Sequence, residues 1–520
     1  MLTLSRRFTP WFWLLLLTLG GCASMPKEQH LAPSFAQPQS HPGELGRILA
    51  PTKAEHPEQS GLGLISRADD ALKVRLAMAD LAEHTLDLQY YIWHGDSSGL
   101  LLLERVARAA ERGVRVRLLL DDHTFTGSDK ELKRIASLPN LEIKLYNPYG
   151  KRRSGSFART LAFLGEFGRL NHRMHNKMMV ADNQLAVVGG RNIGDEYFGL
   201  SDGLNFRDLD LFAAGPVVND LSASFDQYWN SSWAISINSI HGRKVTPGTF
   251  EELFRVLEAE RQAQPPLPYQ IEFNDEELRR AIEQMPASLT WGRALVTADP
   301  PRKDLAKALP EDAVASILGQ LGAGAEEEIL VAAPYFVPGD LMIQGLAQLH
   351  QAGVRVRVLT NSLHANDVKV AHYGYVNRRQ ETLETGTELY ELRPDAASAL
   401  ATQPSSQSQV PVGLHAKVAV YDRKRVYIGS ANLDPRSHLL NTEIGLVVDD
   451  PELAQAVAAL LLADMAPDSA YRVTLDEEGD PCWHWEEAGT PWRACTEPGI
   501  GTWDRLGIWV NWLLPIEDQL

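Results

Sequence analysis

Gly113-Val114-Arg115-Val116-Arg117 returns 240 residues later as Gly353-Val354-Arg355-Val356-Arg357, and His175-Asn176-Lys177 returns at the same spacing as His415-Ala416-Lys417. Two separated landmarks that keep one offset mark an internal duplication. Ahead of each Gly-Val-Arg-Val-Arg run stands a stretch with helical apolar spacing, Leu100 to Ala110 and Leu341 to Leu349. Ahead of those come β-rich runs, Leu86 to Trp93 and Ile329 to Val337. Strand, helix and strand in that order predict βαβ units. The expected fold is α/β: two pseudo-symmetric halves, each a mixed sheet flanked by helices, with one active site between them. The halves are placed at residues 61–239 and 300–470. A Pro-punctuated connecting segment, 240–299, lies between them and carries a helical stretch from Asp275 to Gln284.

The flanks read differently. Arg6 and Arg7 precede the apolar run Trp11 to Leu19, which is shorter than the ~20 residues needed to span a bilayer but suits an export signal over residues 1–21. Its end, Leu19-Gly20-Gly21-Cys22, resembles the lipobox of bacterial lipoproteins. That resemblance implies a lipid on Cys22 and anchoring at the periplasmic side of a bacterial membrane. Ala23 in place of Asp favours the outer membrane. Residues 22–60, rich in Pro, Gln, Ser and His, are expected to form a flexible tether. In an exported chain Cys482 and Cys495 are expected to pair. The extension 471–520 carries Trp483, Trp485, Trp492, Trp503, Trp509 and Trp512, and Trp503 to Leu514 sets Trp and Leu on one helical face. Such a face suits a membrane interface or a helix docked on the core.

Composition bounds the function. Hydrophobic residues make up 44% and charged residues 22%, as in ordinary globular proteins. The formal charge is −17, and removing residues 1–21 takes away two Arg and no acid, which leaves −19. That charge argues against a general nucleic-acid binder. It leaves room for a local basic cluster on an anionic lipid. Gly150 to Arg173, with Lys151, Arg152, Arg153, Arg159 and Arg169, is the candidate for such contact. With Ala396 to Gly413 it forms a pair of long segments in matching places, read as lids or as plain insertions.

The repeated motifs carry the chemistry. They read His175-x-Lys177-x4-Asp182 and His415-x-Lys417-x4-Asp422, and each is followed 17 residues after its His by an Asn, Asn192 and Asn432. In a strand, residues two apart share a face, so His and Lys project together. Attack on phosphorus builds charge on the equatorial oxygens, which Lys and Asn donors stabilise. One imidazole can attack while the other protonates the leaving alkoxide, and the covalent intermediate divides one hard displacement into two. A carboxylate on the far ring nitrogen would fix each tautomer. Glu443 is assigned to His415, and Asp208, preferred over Asp210, to His175. His172 beside His175 lacks the Cys or carboxylate cluster of a metal site, so neither metal nor cofactor is expected.

These paired motifs are similar to the two HKD motifs of the phospholipase D superfamily, over about Gly61 to Met465. In detail, Arg173-Met174-His175-Asn176-Lys177, Val188-Gly189-Gly190-Arg191-Asn192-Ile193, Asp434-Pro435-Arg436-Ser437 and Asn441-Thr442-Glu443-Ile444-Gly445 resemble the bacterial cardiolipin synthase C subgroup. The resemblance implies the duplicated phospholipase D fold. It also implies a phosphatidyltransferase that makes cardiolipin from phosphatidylglycerol, with phosphatidylethanolamine as second lipid, through a phosphohistidine and without metal. It implies His175 as nucleophile, His415 as acid and base, and a structural role for Asp182 and Asp422. The alternatives are a phospholipase D that releases phosphatidic acid, an exported nuclease-like phosphodiesterase, and a non-enzymatic lipid-binding scaffold.

Overall fold

The computed structural model describes residues 32–37, 43–123, 129–149, 163, 165–240, 245–264, 280, 282–303, 311, 313–499 and 501. Cys22 and its export segment, Lys151, Arg152, Arg153 and Arg159, most of Asp275 to Gln284, and Trp503 to Leu514 lie outside the described residues.

Helix α1 (Gly43–Glu55) precedes the first half. That half runs β1 (Ser60–Ile65), α2 (Ala68–Leu81), β2 (Thr85–Tyr90), α3 (Ser97–Glu111), β3 (Arg115–Asp121), α4 (Asp129–Ile135), β4 (Leu141–Tyr146), β5 (Met178–Ala181), β6 (Leu185–Gly189), β7 (Asn205–Arg207), β8 (Asp210–Ala214), α5 (Pro216–Trp229) and β9 (Ala234–Ser236). Helix α6 (Phe250–Ala263) and β10 (Thr290–Ala298) follow. The second half repeats the order with α7 (Val314–Ala323), β11 (Glu328–Ala332), α8 (Asp340–Gln351), β12 (Arg355–Asn361), α9 (Lys369–Glu384), β13 (Glu388–Leu392), β14 (Val412–Leu414), β15 (Lys417–Tyr421), β16 (Arg425–Gly429), β17 (Ile444–Asp449) and α10 (Pro451–Asp464). Strands β18 (Ala470–Leu475), β19 (Pro481–Glu487) and β20 (Thr490–Ala494) extend its edge.

Each half is a mixed sheet, as the βαβ pattern predicts. β2, β3 and β4 are parallel, as are β11, β12 and β13, and the remaining main-sheet pairings are antiparallel. Alternation works as expected within β2. Leu86, Leu88 and Tyr90 enter the core under the helices, while Asp87 turns to the opposite face and pairs with Arg117 at 2.6 Å. The two sheets face each other across one core that takes Leu62 and Leu211 from the first half and Ile428 and Leu446 from the second, with α5 and α10 between them. β10 belongs to both sheets. Its residues 290–292 pair with β1 and residues 293–298 with β17, so the connecting segment also joins the halves by hydrogen bonds.

One expectation changes, and one of two open readings is met. The tether over 22–60 is corrected at residues 32–37 and 43–55, because Ser34 and Ala36 amides donate to Asn230 and Asp226 and α1 buries Leu45 and Leu49. Those two leucines, four apart, form a helical stripe that the polar composition around them conceals. The segment from Ala396 to Gly413 is a docked insertion. Ala396 and Ala399 are buried, and Gln403 Nε2 donates to the Phe206 carbonyl of the other half at 3.1 Å. Cys482 and Cys495 are disulfide-bonded at the β19–β20 hairpin. Among the described residues no helix is long and apolar enough to cross a membrane.

The motif aspartates close hairpins at the end of each strand remote from its histidine. Three residues join β5 to β6 and three join β15 to β16. Asp182 and Asn183 take φ of 52° and 50°, Asp422 and Arg423 take 52° and 51°, and the Gln184 and Lys424 amides donate back to the Ala181 and Tyr421 carbonyls at 3.0 Å, as a β-turn with two left-handed central residues requires. The Asp182 carboxylate also accepts from the Glu83, His84 and Thr85 amides at 2.8–2.9 Å, and Asp422 accepts from Glu326, Glu327 and Glu328. Asp182→Ala would strand three amides that start β2, and is expected to cost roughly 3 kcal/mol of stability in urea unfolding. A loss below about 1 kcal/mol would show that other contacts hold this turn.

Candidate active site

β7 and β14 come from opposite halves and pair in parallel, Arg207 against Leu414. Asp208 follows β7 and His415 follows β14, and the His415 amide donates to the Arg207 carbonyl at 2.8 Å. The arrangement recurs with the halves exchanged. Met174 bridges Thr442 in parallel, and the His175 amide donates to the Thr442 carbonyl at 2.9 Å. Asp208 Oδ2 therefore sits 2.7 Å from His415 Nδ1, and Glu443 Oε2 sits 2.8 Å from His175 Nδ1. This corrects the sequence-based pairing, which gave Glu443 to His415 and Asp208 to His175. A repeat identifies equivalent residues, but it does not say which of two symmetry-related partners each one faces. Asp210 is held elsewhere, by Arg75 at 2.9 Å and Arg191 at 3.2 Å.

The rest of the site is built twice. The residue ending β3, Asp121, accepts from the Met174 amide at 2.9 Å, and its counterpart ending β12, Asn361, accepts from the Leu414 amide at 2.7 Å. Each therefore fixes the backbone one residue before a histidine. Lys177 Nζ donates to the His175 carbonyl and Lys417 Nζ to the His415 carbonyl, both at 2.5 Å. Both lysines are buried, as are both histidines. Asn192 accepts from the Ile92 amide and donates to the Tyr197 hydroxyl at 3.0 Å. Asn432 is held by its own amide on Ser437 Oγ at 3.2 Å, and its side-chain oxygen is buried with no partner among the described residues.

Several residues of this site went unremarked in the sequence. Tyr91 meets the His175 ring edge-on at 5.1 Å, and Tyr197 and Phe206 pack on His415 at 5.1 and 5.0 Å. Glu443 accepts from Ser430 Oγ at 2.5 Å and Ser437 Oγ at 2.8 Å, and Asp299 accepts from its amide at 3.0 Å. Asp208 accepts instead from the Leu209 amide at 2.8 Å. The repeat holds the signal for this difference. Ser430 occupies the place of Gly190, where a Cβ would run into the Asp208 carboxylate. Two histidines without a motif are engaged outside the site, His123 with Tyr149 and His372 with Glu497. Among the described residues, the carboxylate, Cys and His clusters that could hold a metal contain no residue of the paired motifs.

Burial sets the electrostatics. It lowers His175 to about 4, with Glu443 opposing the shift and Lys177 adding to it. It lowers His415 to about 3, with Lys417 adding and Asp208 opposing. Each imidazole thus feels the lysine of the opposite half as well as its own. Burial also lowers Lys417 to about 8 and takes Lys177 well below the ordinary lysine range. Burial alone would raise Asp208, but His415, Arg191 and Lys417 bring it down to about 2, and His175 and Lys177 keep Glu443 low in the same way. These shifts leave both imidazoles neutral near pH 7 beside two ionised carboxylates.

The crossed pairing is open to direct test. Glu443→Gln should move the NMR titration of His175 and leave His415 in place, and Asp208→Asn should do the reverse. The opposite pattern would restore the uncrossed assignment. The same shifts bear on stability. Both histidines titrate below their free value of 6.5, so the unfolded chain binds more protons in that window and stability rises with pH across it. Stability present above pH 6.5 should be lost as pH falls, about 2 kcal/mol per histidine by about pH 5. Urea titrations at about pH 7.5 and about pH 5 would read this loss, and the His175→Ala/His415→Ala protein should show less of it.

The family described as cardiolipin synthase, PLD-like domain, matches residues 76–229 and again 320–465. Cardiolipin synthase C of Escherichia coli (strain K12) is 37% identical over 487 residues, covering 91% of this chain and 99% of that protein. Cardiolipin synthase A of Pseudomonas entomophila (strain L48) is 25% identical over 423 residues, covering 80% of this chain and 70% of its own. The crystal structure of phosphatidylserine synthase from Haemophilus influenzae Rd KW20 shares the fold, with a TM-score of 0.58 at 14% identity, over 91% of this chain and 99% of that one. A duplicated domain, a paired histidine site and this extent of identity place the chain in the cardiolipin synthase family of phospholipase D-like proteins.

Proposed function

We propose that the protein is a phosphatidyltransferase of the cardiolipin synthase type, which moves a phosphatidyl group between phospholipids. The observation that carries this reading is the pair of buried histidines, each with Nδ1 on a carboxylate of the opposite half, which leaves Nε2 of each for chemistry. His175 Nε2 attacks the phosphorus of a phospholipid. The bond from phosphorus to the head-group oxygen breaks, and the departing alkoxide takes a proton from His415. An acceptor hydroxyl, on phosphatidylglycerol in this reading, then gives its proton to His415 and displaces His175 from phosphorus. Lys177, Lys417, Asn192 and Asn432 supply donors for the equatorial oxygens. The bound phosphodiester anion raises both imidazoles from their resting values, so that His415 can carry the proton. Glu443 and Asp208 hold the tautomers and stabilise the imidazolium.

Phosphatidylglycerol and phosphatidylethanolamine are the proposed lipids. The site proposed for the enzyme is the periplasmic side of a membrane, outer membrane favoured, with the lipid on Cys22 as its anchor. Vesicles of phosphatidylglycerol, alone and with phosphatidylethanolamine, should yield cardiolipin by mass spectrometry, and His175→Ala should lower the rate about a thousandfold or more. Phosphatidic acid as the sole product would make the protein a hydrolase. With a labelled phosphatidyl ester whose leaving group needs no proton, such as p-nitrophenol, His415→Ala should accumulate an acid-labile phosphatidyl adduct on His175. An adduct on His415 in the His175→Ala protein would reverse the two roles.

A further inference from the structure

The second half departs from the first in how its outer helices meet. Helix α2 stands before β2 as α7 stands before β11. In the first half α2 packs along α3 and buries Leu72, Leu76 and Ala79 between them and the sheet. Helix α7, Val-Ala-Ser-Ile-Leu-Gly-Gln-Leu-Gly-Ala, carries no charge, yet it buries only Val314. Ile317, Leu318 and Leu321 are covered in part, and Leu341 at the start of α8 is 85% exposed. Among the described residues, the space between α7 and α8 is an apolar cleft of about 620 Å³, walled by Leu318, Met342, Leu346, Val331, Val356 and Tyr427. At one end it reaches Asn432, Asp434 and Ser437. Asn432 belongs to the paired site, and Ser437 Oγ donates at 2.8 Å to the carboxylate of Glu443, which holds His175.

We propose that this cleft takes one acyl chain of the phospholipid whose phosphate lies between His175 and His415. The inference rests on the phosphatidyltransferase reading and names where its substrate is held. Three observations support that occupant. The walls are hydrocarbon and aromatic, the volume falls within the ~300–1,000 Å³ of sites for small ligands, and the cleft is continuous with residues of the active site. A lipid drawn toward a buried phosphate site must lift a chain out of the bilayer. An apolar cleft beside the site keeps that chain out of water.

Gly322 on α7 and Gly345 on α8 line the cleft, and a Cβ on either would meet nothing within 4 Å. Leucine at both positions would narrow the cleft from its two helical walls without displacing the backbone, and leucine favours helix over glycine. For soluble phosphatidylglycerols, each methylene that enters the cleft should raise kcat/KM by about fourfold until the space is full. In the Gly322→Leu/Gly345→Leu protein, its fold checked by thermal melting, the ratio of kcat/KM for dioctanoyl over dihexanoyl lipid should fall by about tenfold or more. With the unmodified full chain, phosphatidylglycerol bearing a photoreactive group at its acyl end should label peptides from α7 and α8.

An unchanged chain-length ratio, or labelling confined to other peptides, would overturn the proposal while leaving the transferase reading intact. Loss of vesicle binding with the chain-length ratio preserved would also overturn it, by making this face a membrane contact. If the unmodified protein turned over no phospholipid, binding of cis-parinaric acid would decide the question. Fluorescence enhancement lost in the double variant would keep the cleft and discard the transferase. Enhancement equal in both proteins would overturn the cleft.

Discussion

A buried imidazole needs an acceptor on its inner nitrogen, and here that acceptor comes from the half that does not carry the histidine. The reach across the interface follows from two short parallel pairings, Arg207 beside Leu414 and Met174 beside Thr442. Each sets the backbone of a carboxylate next to the backbone of a histidine before any side chain is considered. The halves therefore share one site in a strict sense. Neither half alone could hold its imidazole in one tautomer, and a displacement of one half against the other would uncouple both pairs at once.

That arrangement has an energetic requirement. Burying two lysines, two carboxylates and two histidines would be heavily unfavourable for any of them singly. The solution is a closed set of short hydrogen bonds. Lysines donate to histidine carbonyls, carboxylates accept from imidazoles, and serines or backbone amides satisfy the remaining carboxylate oxygens. The motif aspartates serve the same end from a distance, since Asp182 and Asp422 close the hairpins that carry the lysines. β10 contributes by crossing from one sheet to the other and leading to Asp299, which accepts from the Glu443 amide.

The duplication is not kept to the letter where chemistry or packing differs. Ser430 replaces Gly190 because Glu443, one methylene longer than Asp208, leaves room for a hydroxyl and uses it. The outer helices pack in the first half and part in the second, which opens the apolar cleft between α7 and α8. Such departures are where two equivalent halves acquire separate tasks.

Much of this was legible in the chain itself. The 240-residue offset of Gly-Val-Arg-Val-Arg and His-x-Lys, with an Asn 17 residues after each His, determined the duplicated α/β fold and nominated the residues of the site. Periodicity reports local structure, and repetition reports equivalence, so both survive in one dimension. The crossing of Glu443 to His175 and Asp208 to His415 does not, because equivalent residues give the same alignment whether each faces its own half or the other. The aromatic walls Tyr91, Tyr197 and Phe206 were hidden for a related reason, since they lie near the histidines only after strands from distant parts of the chain have paired. Helix α1 and the docked segment after Ala396 show the opposite limit, in which polar or low-complexity composition masks a few apolar residues that find a core. The sequence by itself nominated the groups proposed for the chemistry. Tertiary structure decided which group holds which, because that depends on how two halves meet.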